Sequence, residues 1–192
     1  VEEIFDDSVD DDREKERAKS RWAQLEAVVG AEPRIKQITE DLIKHFDTRT
    51  KTQPGKAMIV CMSREICVKF YEALRKLKPE LHDDELLKGQ MKIVMTASAS
   101  DPKDFQPHHT NRLQKKDLEK RFKDPSDPLK IVIVRDMWLT GFDAPCLTTM
   151  YVDKPMQGAN LAQAIARVNR VFGDKPGGLV VDYIGIAPQL KD

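Results

Sequence analysis

Aromatic residues make up only 6% of this 192-residue chain, cysteine occurs three times, and no apolar run exceeds six residues. A membrane-spanning helix needs about 20 apolar residues, so none is expected. Cys61, Cys67 and Cys146 form no CxxC pair, and Cys61 lies in a buried-looking strand. A disulfide framework is therefore not expected, and a reducing cytoplasm is the expected compartment. Net charge is absent too, with 32 basic and 32 acidic residues. That balance excludes a uniformly basic nucleic-acid coat but leaves room for a local basic groove. The first 20 residues hold nine acidic and four basic side chains, leaving 28 basic against 23 acidic in the remainder. The opening VEEIFDDSVDDD lacks the basic and apolar regions of a secretory signal. It also begins without Met, in composition typical of mid-helix, and reads as part of something longer.

What is present starts with helical periodicity. Residues 1–12 are expected to be too acidic to fold alone, as a solvated linker. From about Arg13 a helical pattern sets in, carrying Trp22, Leu25 and Val29, and Gly30 ends it. Pro33 suits a first helical turn, and Ile35, Ile38, Leu42 and Phe46 predict a second amphipathic helix closing near Phe46. Thr48–Lys56 reads as a polar linker. The pattern then changes to short apolar strands (57–62, 92–96, 130–134, 148–152, 179–183) alternating with helices near 64–77, 112–122 and 159–171. Strands alternating with helices mean right-handed βαβ units and a mostly parallel sheet, an α/β fold with its chemistry at the carboxyl ends of the strands. The loops that matter therefore begin at Ser63, Ala97, Arg135, Asp153 and Tyr183. Residues 97–111 form a loop long enough to be functional or mobile.

Two of these regions carry a specific pattern. Thr140-Gly141-Phe142-Asp143-Ala144-Pro145 follows the 130–134 strand, and Gln163-Ala164-Ile165-Ala166-Arg167-Val168-Asn169-Arg170 lies on the next helix. Gln163, Arg167 and Arg170 are spaced i, i+4, i+7 and so share one helical face. Two guanidinium groups on one face, without interleaved carboxylates, suit a polyanion such as a triphosphate. No GxxxxGK[ST] phosphate loop occurs; the one Gly-Lys, Gly55-Lys56, is followed by Ala57.

TGFDAP followed by QAIARVNR resembles motifs V and VI of superfamily 2 helicases and translocases, with AMIVCMSRE similar to motif IV. The likeness is greatest to the motor (R) subunit of type I restriction enzymes and covers about residues 20–186. Ala166 departs from the glycine common there, while preserving close packing. The resemblance implies a RecA-like doubly wound second motor lobe over residues 31–192, joined by an acidic, helical linker (1–30) to a first lobe. It implies an ATP-dependent double-stranded DNA translocase within an endonuclease subunit. Arg170 would be the arginine finger and Arg167 a second γ-phosphate contact. Gln163 would order that face, and Gly141 and Asp143 would approach the nucleotide. Ser63, Arg64, Thr96 and Thr140 would contact the DNA backbone, and no metal ligand is assigned here. ATP and Mg²⁺ would be held mainly by the first lobe, so the isolated chain is expected to be inactive. Partners would be double-stranded DNA, the first lobe and nuclease domain, and the modification and specificity subunits, with no membrane.

Plainer readings stand beside these. Another superfamily 2 helicase lobe, a type III restriction subunit, or a non-catalytic docking module would share parts of the pattern. Ser63 suits an N-cap. The basic run Arg112–Lys123, broken by Asp117 and Glu119, reads as a solvated surface. His108-His109 lacks partners at metal spacing, Cys61 and Cys67 suit core packing, and Asp182 suits a structural role.

Overall fold

The computed structural model describes residues 3–170 and 177–185, with side chains from residue 11 onward. Two helices, α1 (Glu3–Val29) and α2 (Glu32–Thr52), precede an alternating unit of β1 (Lys56–Cys61), α3 (Arg64–Leu77), β2 (Met91–Val94), α4 (Arg112–Lys123), β3 (Ile131–Val134), β4 (Leu147–Asp153), α5 (Gly158–Val168) and β5 (Leu179–Asp182). The strands form one sheet in the order β2-β3-β1-β4-β5. Every pairing is parallel.

Alternation along β1 divides the core. Ala57, Ile59 and Cys61 face a cluster that includes Leu42 and Phe46 of α2 and Phe70 and Leu74 of α3. Met58 and Val60 face the opposite cluster, with Leu118 and Phe122 of α4 and Leu161, Ala164 and Val168 of α5. Both faces are covered, which is why the strands read as continuous apolar runs. The path from β1 to the β2 edge carries α3 on one face, and the return to β3 carries α4 on the other. A constant crossover hand demands this reversal. The result is a RecA-like, doubly wound α/β fold. No helix among the described residues is long and apolar enough to cross a membrane.

Several expectations need correction. Helix α1 begins at Glu3, not near Arg13. Negative charge is favoured at a helix amino end, so an acidic sequence is compatible with this early start. Pairs such as Lys15–Asp11, at 2.6 Å one turn apart, add to this. Helix α2 continues past Phe46 to Thr52. Thr48 and Thr50 turn their hydroxyls back onto the carbonyls of Lys44 and Phe46, and Arg49 donates to Thr149 on β4 at 3.0 Å. A polar stretch thus remains helical because it is anchored to the sheet. Leu77, the last residue of α3, is exposed although apolar. Arg121 of the expected solvated run is buried against Asp127 and three backbone carbonyls. Residue 171, the expected end of α5, lies outside the described residues.

Candidate functional site

The carboxyl edge of the sheet carries two groups of side chains. The first is built from the loop after β3 and from α5. Leu161, Ala164 and Val168 bury one stripe of α5, which leaves Gln163, Ala166 and Arg167 on the opposite side, with Arg170 just beyond. These four residues, with Phe142 and Asp143, line an open depression of about 330 Å³. Arg170 is ion-paired with Asp143, and both side chains are about half exposed (54% and 55%). Arg167 donates from Nε to the Leu139 carbonyl at 2.8 Å. Four sequence-singled residues, Asp143, Gln163, Arg167 and Arg170, therefore converge from two segments some twenty residues apart.

Gly141 lies outside that lining. Its φ of 66° is left-handed, and a Cβ there would meet nothing within 4 Å. Conformation, not space, is what favours glycine at this point. Thr140 beside it is exposed. Trp138 is the non-glycine residue with a left-handed backbone among the described residues, at φ 68°. A side-chain-bearing residue incurs about 1–2 kcal/mol in that region. Its indole lies parallel to the Phe142 ring, with centroids 4.5 Å apart and planes 2° apart, and also stacks on Phe122 at 5.9 Å.

The second group lies at the ends of β1 and β2. Ser63 accepts from the Ile66 amide at 3.1 Å and so caps α3. The Arg64 guanidinium grips both oxygens of Asp101 (2.7 and 2.8 Å), donates to the Thr96 carbonyl at 2.9 Å, and lies over the Phe105 ring. Asp101 also accepts from the Ser98 amide and from His109 Nε2. The Arg64 hydrogen bonds hold the Asp101 carboxyl well below the usual carboxylate range. Asp101 thus folds the 97–111 loop onto the sheet edge and leaves Thr96 exposed. Phe105 belongs to the α2/α3 cluster, whereas Leu139 and Phe142 belong to the α4/α5 cluster. The two groups therefore share one edge of the sheet but sit over opposite faces.

Sequence reasoning missed three features of this edge. Asp153, 1% exposed at the end of β4, holds Arg34 of α2 through two hydrogen bonds of 3.0 and 2.6 Å. Arg34 also reaches the carbonyls of Val29 and Tyr183, tying the α1–α2 corner to β4 and β5. Asp153 stands at a strand end that the parallel-sheet rule picks out. Its partner 119 residues away has no local signal. Asp101 and the Trp138 turn were likewise unmarked by any short motif. Asp182 accepts from the amides of Ile184 and Gly185, the structural use expected of it.

Residues 102–185 match the family model described as type I restriction enzyme subunit R domain 3. The chain is 54% identical over 169 residues to the type I restriction enzyme HindI endonuclease subunit of Haemophilus influenzae, covering 86% of this chain and 16% of that protein. It is 47% identical over 191 residues to the type I restriction enzyme MjaIXP endonuclease subunit of Methanocaldococcus jannaschii, covering 99% and 18%. It therefore spans less than a fifth of the length of these relatives. A fragment structure of an HsdR subunit of a type I restriction enzyme from Vibrio vulnificus superposes with a TM-score of 0.59 at 21% identity, over 83% of this chain and 29% of that one. That likeness supports the fold, and the close relatives carry the family. The chain belongs to the type I restriction enzyme R-subunit family.

Proposed function

We propose that residues 31–192 form the second motor lobe of an ATP-dependent double-stranded DNA translocase, linked through residues 1–30 to a first lobe in the same polypeptide. ATP is held between the lobes. When the cleft closes, Arg167 and Arg170 meet the γ-phosphate, Gln163 orders their face, and Asp143 and Gly141 lie beside the nucleotide. Hydrolysis reopens the cleft. Thr96 and Thr140 touch the DNA backbone, while Ser63 acts by capping α3 and Arg64 through the loop that it holds. Backbone contacts carry no sequence information, as a motor stepping along any sequence requires. Base recognition then belongs to a specificity subunit, and the modification and specificity subunits are the expected partners.

One observation carries this reading. Asp143, Gln163, Arg167 and Arg170 ring one open depression, and the carboxylate on Arg170 is half exposed. A solvent-exposed pair contributes about 0–1 kcal/mol, so a triphosphate displaces it at little cost. Among the described residues no three His, Cys, Asp or Glu side chains converge as a metal-ligand group. These residues do not fit a Mg²⁺ ion by themselves.

The test is Arg170→Ala in the full-length R subunit. An arginine finger is worth about 10³-fold or more in kcat. DNA-stimulated ATP hydrolysis should fall on that scale while DNA binding persists. Undiminished hydrolysis would make the chain a docking module instead, and lost DNA binding with surviving hydrolysis would reverse the assigned roles. Purified 1–192 should show no turnover.

A further inference from the structure

The left-handed backbone at Trp138 sits one residue before the carbonyl that holds Arg167. Sequence at such a position ordinarily favours glycine or asparagine, and a bulky indole persists there only when its surroundings over-determine it. Here they do. The indole lies flat on Phe142 and stacks on Phe122, a buried residue of α4, while Lys123 Nζ lies 5.0 Å from the Phe142 ring centroid. The Leu139 amide closes a turn onto the Asp136 carbonyl at 3.3 Å. That turn points the Leu139 carbonyl at α5, where it takes Arg167 Nε at 2.8 Å. Arg167, held at Nε by this carbonyl, also lines the depression.

We propose that Trp138 is a positioning residue for the nucleotide step. Through the stack it fixes the Leu139 carbonyl, and through that carbonyl it aims Arg167. This rests on the nucleotide reading of Arg167 given above. The indole itself touches no reacting atom. Phe142 serves twice, as the platform under Trp138 and as lining of the depression, so the stack and the arginine face share one side chain.

The experiment is a double-mutant cycle in the full-length R subunit assembled in its enzyme, reading DNA-stimulated kcat and the KM for ATP. Trp138→Gly is the informative single variant, because glycine accepts φ near +68° and keeps the turn accessible while the stack is lost. Misplacing a group by about an ångström reduces rates by on the order of 10²-fold. Trp138→Gly should therefore lower kcat about tenfold or more, with a smaller change in KM. In the Arg167→Ala background the same substitution should add almost nothing. Trp138→Phe, which keeps an aromatic ring on Phe142, should recover most of the kcat lost in the glycine variant. Fully active Trp138→Gly would overturn the proposal, as would losses that multiply in the double variant or a phenylalanine variant no better than glycine. If Arg167→Ala alone left hydrolysis intact, the nucleotide reading itself would fall, a result separate from independence of the two residues.

Discussion

At the amino edge of the sheet Lys56, Lys92 and Arg121 are buried and donate to backbone carbonyls, whereas at the carboxyl edge Arg170 stays half exposed with one carboxylate beside it. Lys56 reaches the carbonyls of Arg121 and Asp124, at the end of α4. Burial pushes its ammonium pKa below the ordinary lysine value. Lys92 does the same for Asp83 and Glu85, and Arg121 for Leu86, Lys88 and Gly89. One set of cations is itself buried and occupied by backbone carbonyls. The other is held loosely enough to change partner. Residue type does not separate scaffold from site in this molecule; the number of bonds and the access of water do.

The largest expected effect comes from breaking the buried set. Arg121→Leu removes the donor to three carbonyls and leaves Asp127 without its guanidinium. Removing one partner of a buried pair costs about 3–5 kcal/mol. Denaturant unfolding should show a loss of that order, with Arg121→Lys recovering only part because an ammonium cannot span the same fork. A loss below about 1 kcal/mol would mean that water takes the place of the guanidinium and that the two edges are less different than their burial implies.

A smaller effect, dependent on pH, arises within the 97–111 loop, where a half-buried imidazole and an ion-paired carboxylate titrate in different windows. Burial, with Lys92 and His82 nearby, lowers the His108 pKa to about 4, against about 6.5 in an unfolded chain. The unfolded chain binds the proton first, so stability should fall as pH drops from about 6.5 toward 4 and be flat above that window. Asp101 acts lower down. Its folded carboxyl lies well below the ordinary value near 4, so its contribution is complete above pH 4 and disappears as pH falls further. His108→Gln should flatten the upper slope and leave the lower one, and Asp101→Asn the reverse. If both slopes survive in both variants, other groups carry the acid sensitivity.

The depth of these cations explains what the chain order revealed and what it hid. Strand positions were legible because both faces of the sheet are covered, so 57–62 and 130–134 stand out as apolar runs. The arginine face was legible because helical spacing alone aligns Gln163, Arg167 and Arg170. Helix α2 beyond Phe46 was not, since its hold on β4 runs through Arg49 and Thr149, 100 residues apart. Arg121 looked like one more solvated charge among Lys115, Lys116 and Lys120, and only the packing of α4 against the 86–89 turn distinguishes it. Pairs such as Arg34–Asp153 and Arg64–Asp101 depend on tertiary proximity and leave no periodic trace.

The smallest expected effect is the sharpest test of the contrast. Asp143→Asn removes the charge from the pair with Arg170 while keeping its size. Because both side chains are about half exposed, water and salt take over readily, and the unfolding free energy should change by less than about 0.5 kcal/mol. The same exposed pair is the one the proposed cleft closure must open. A thermal unfolding curve that barely moves, beside the large loss in Arg121→Leu, is what a loosely tethered arginine and a buried one require. A shift in Asp143→Asn as large as that in Arg121→Leu would mean that Arg170 is built into the fold. It would then be poorly placed to exchange its carboxylate for a phosphate.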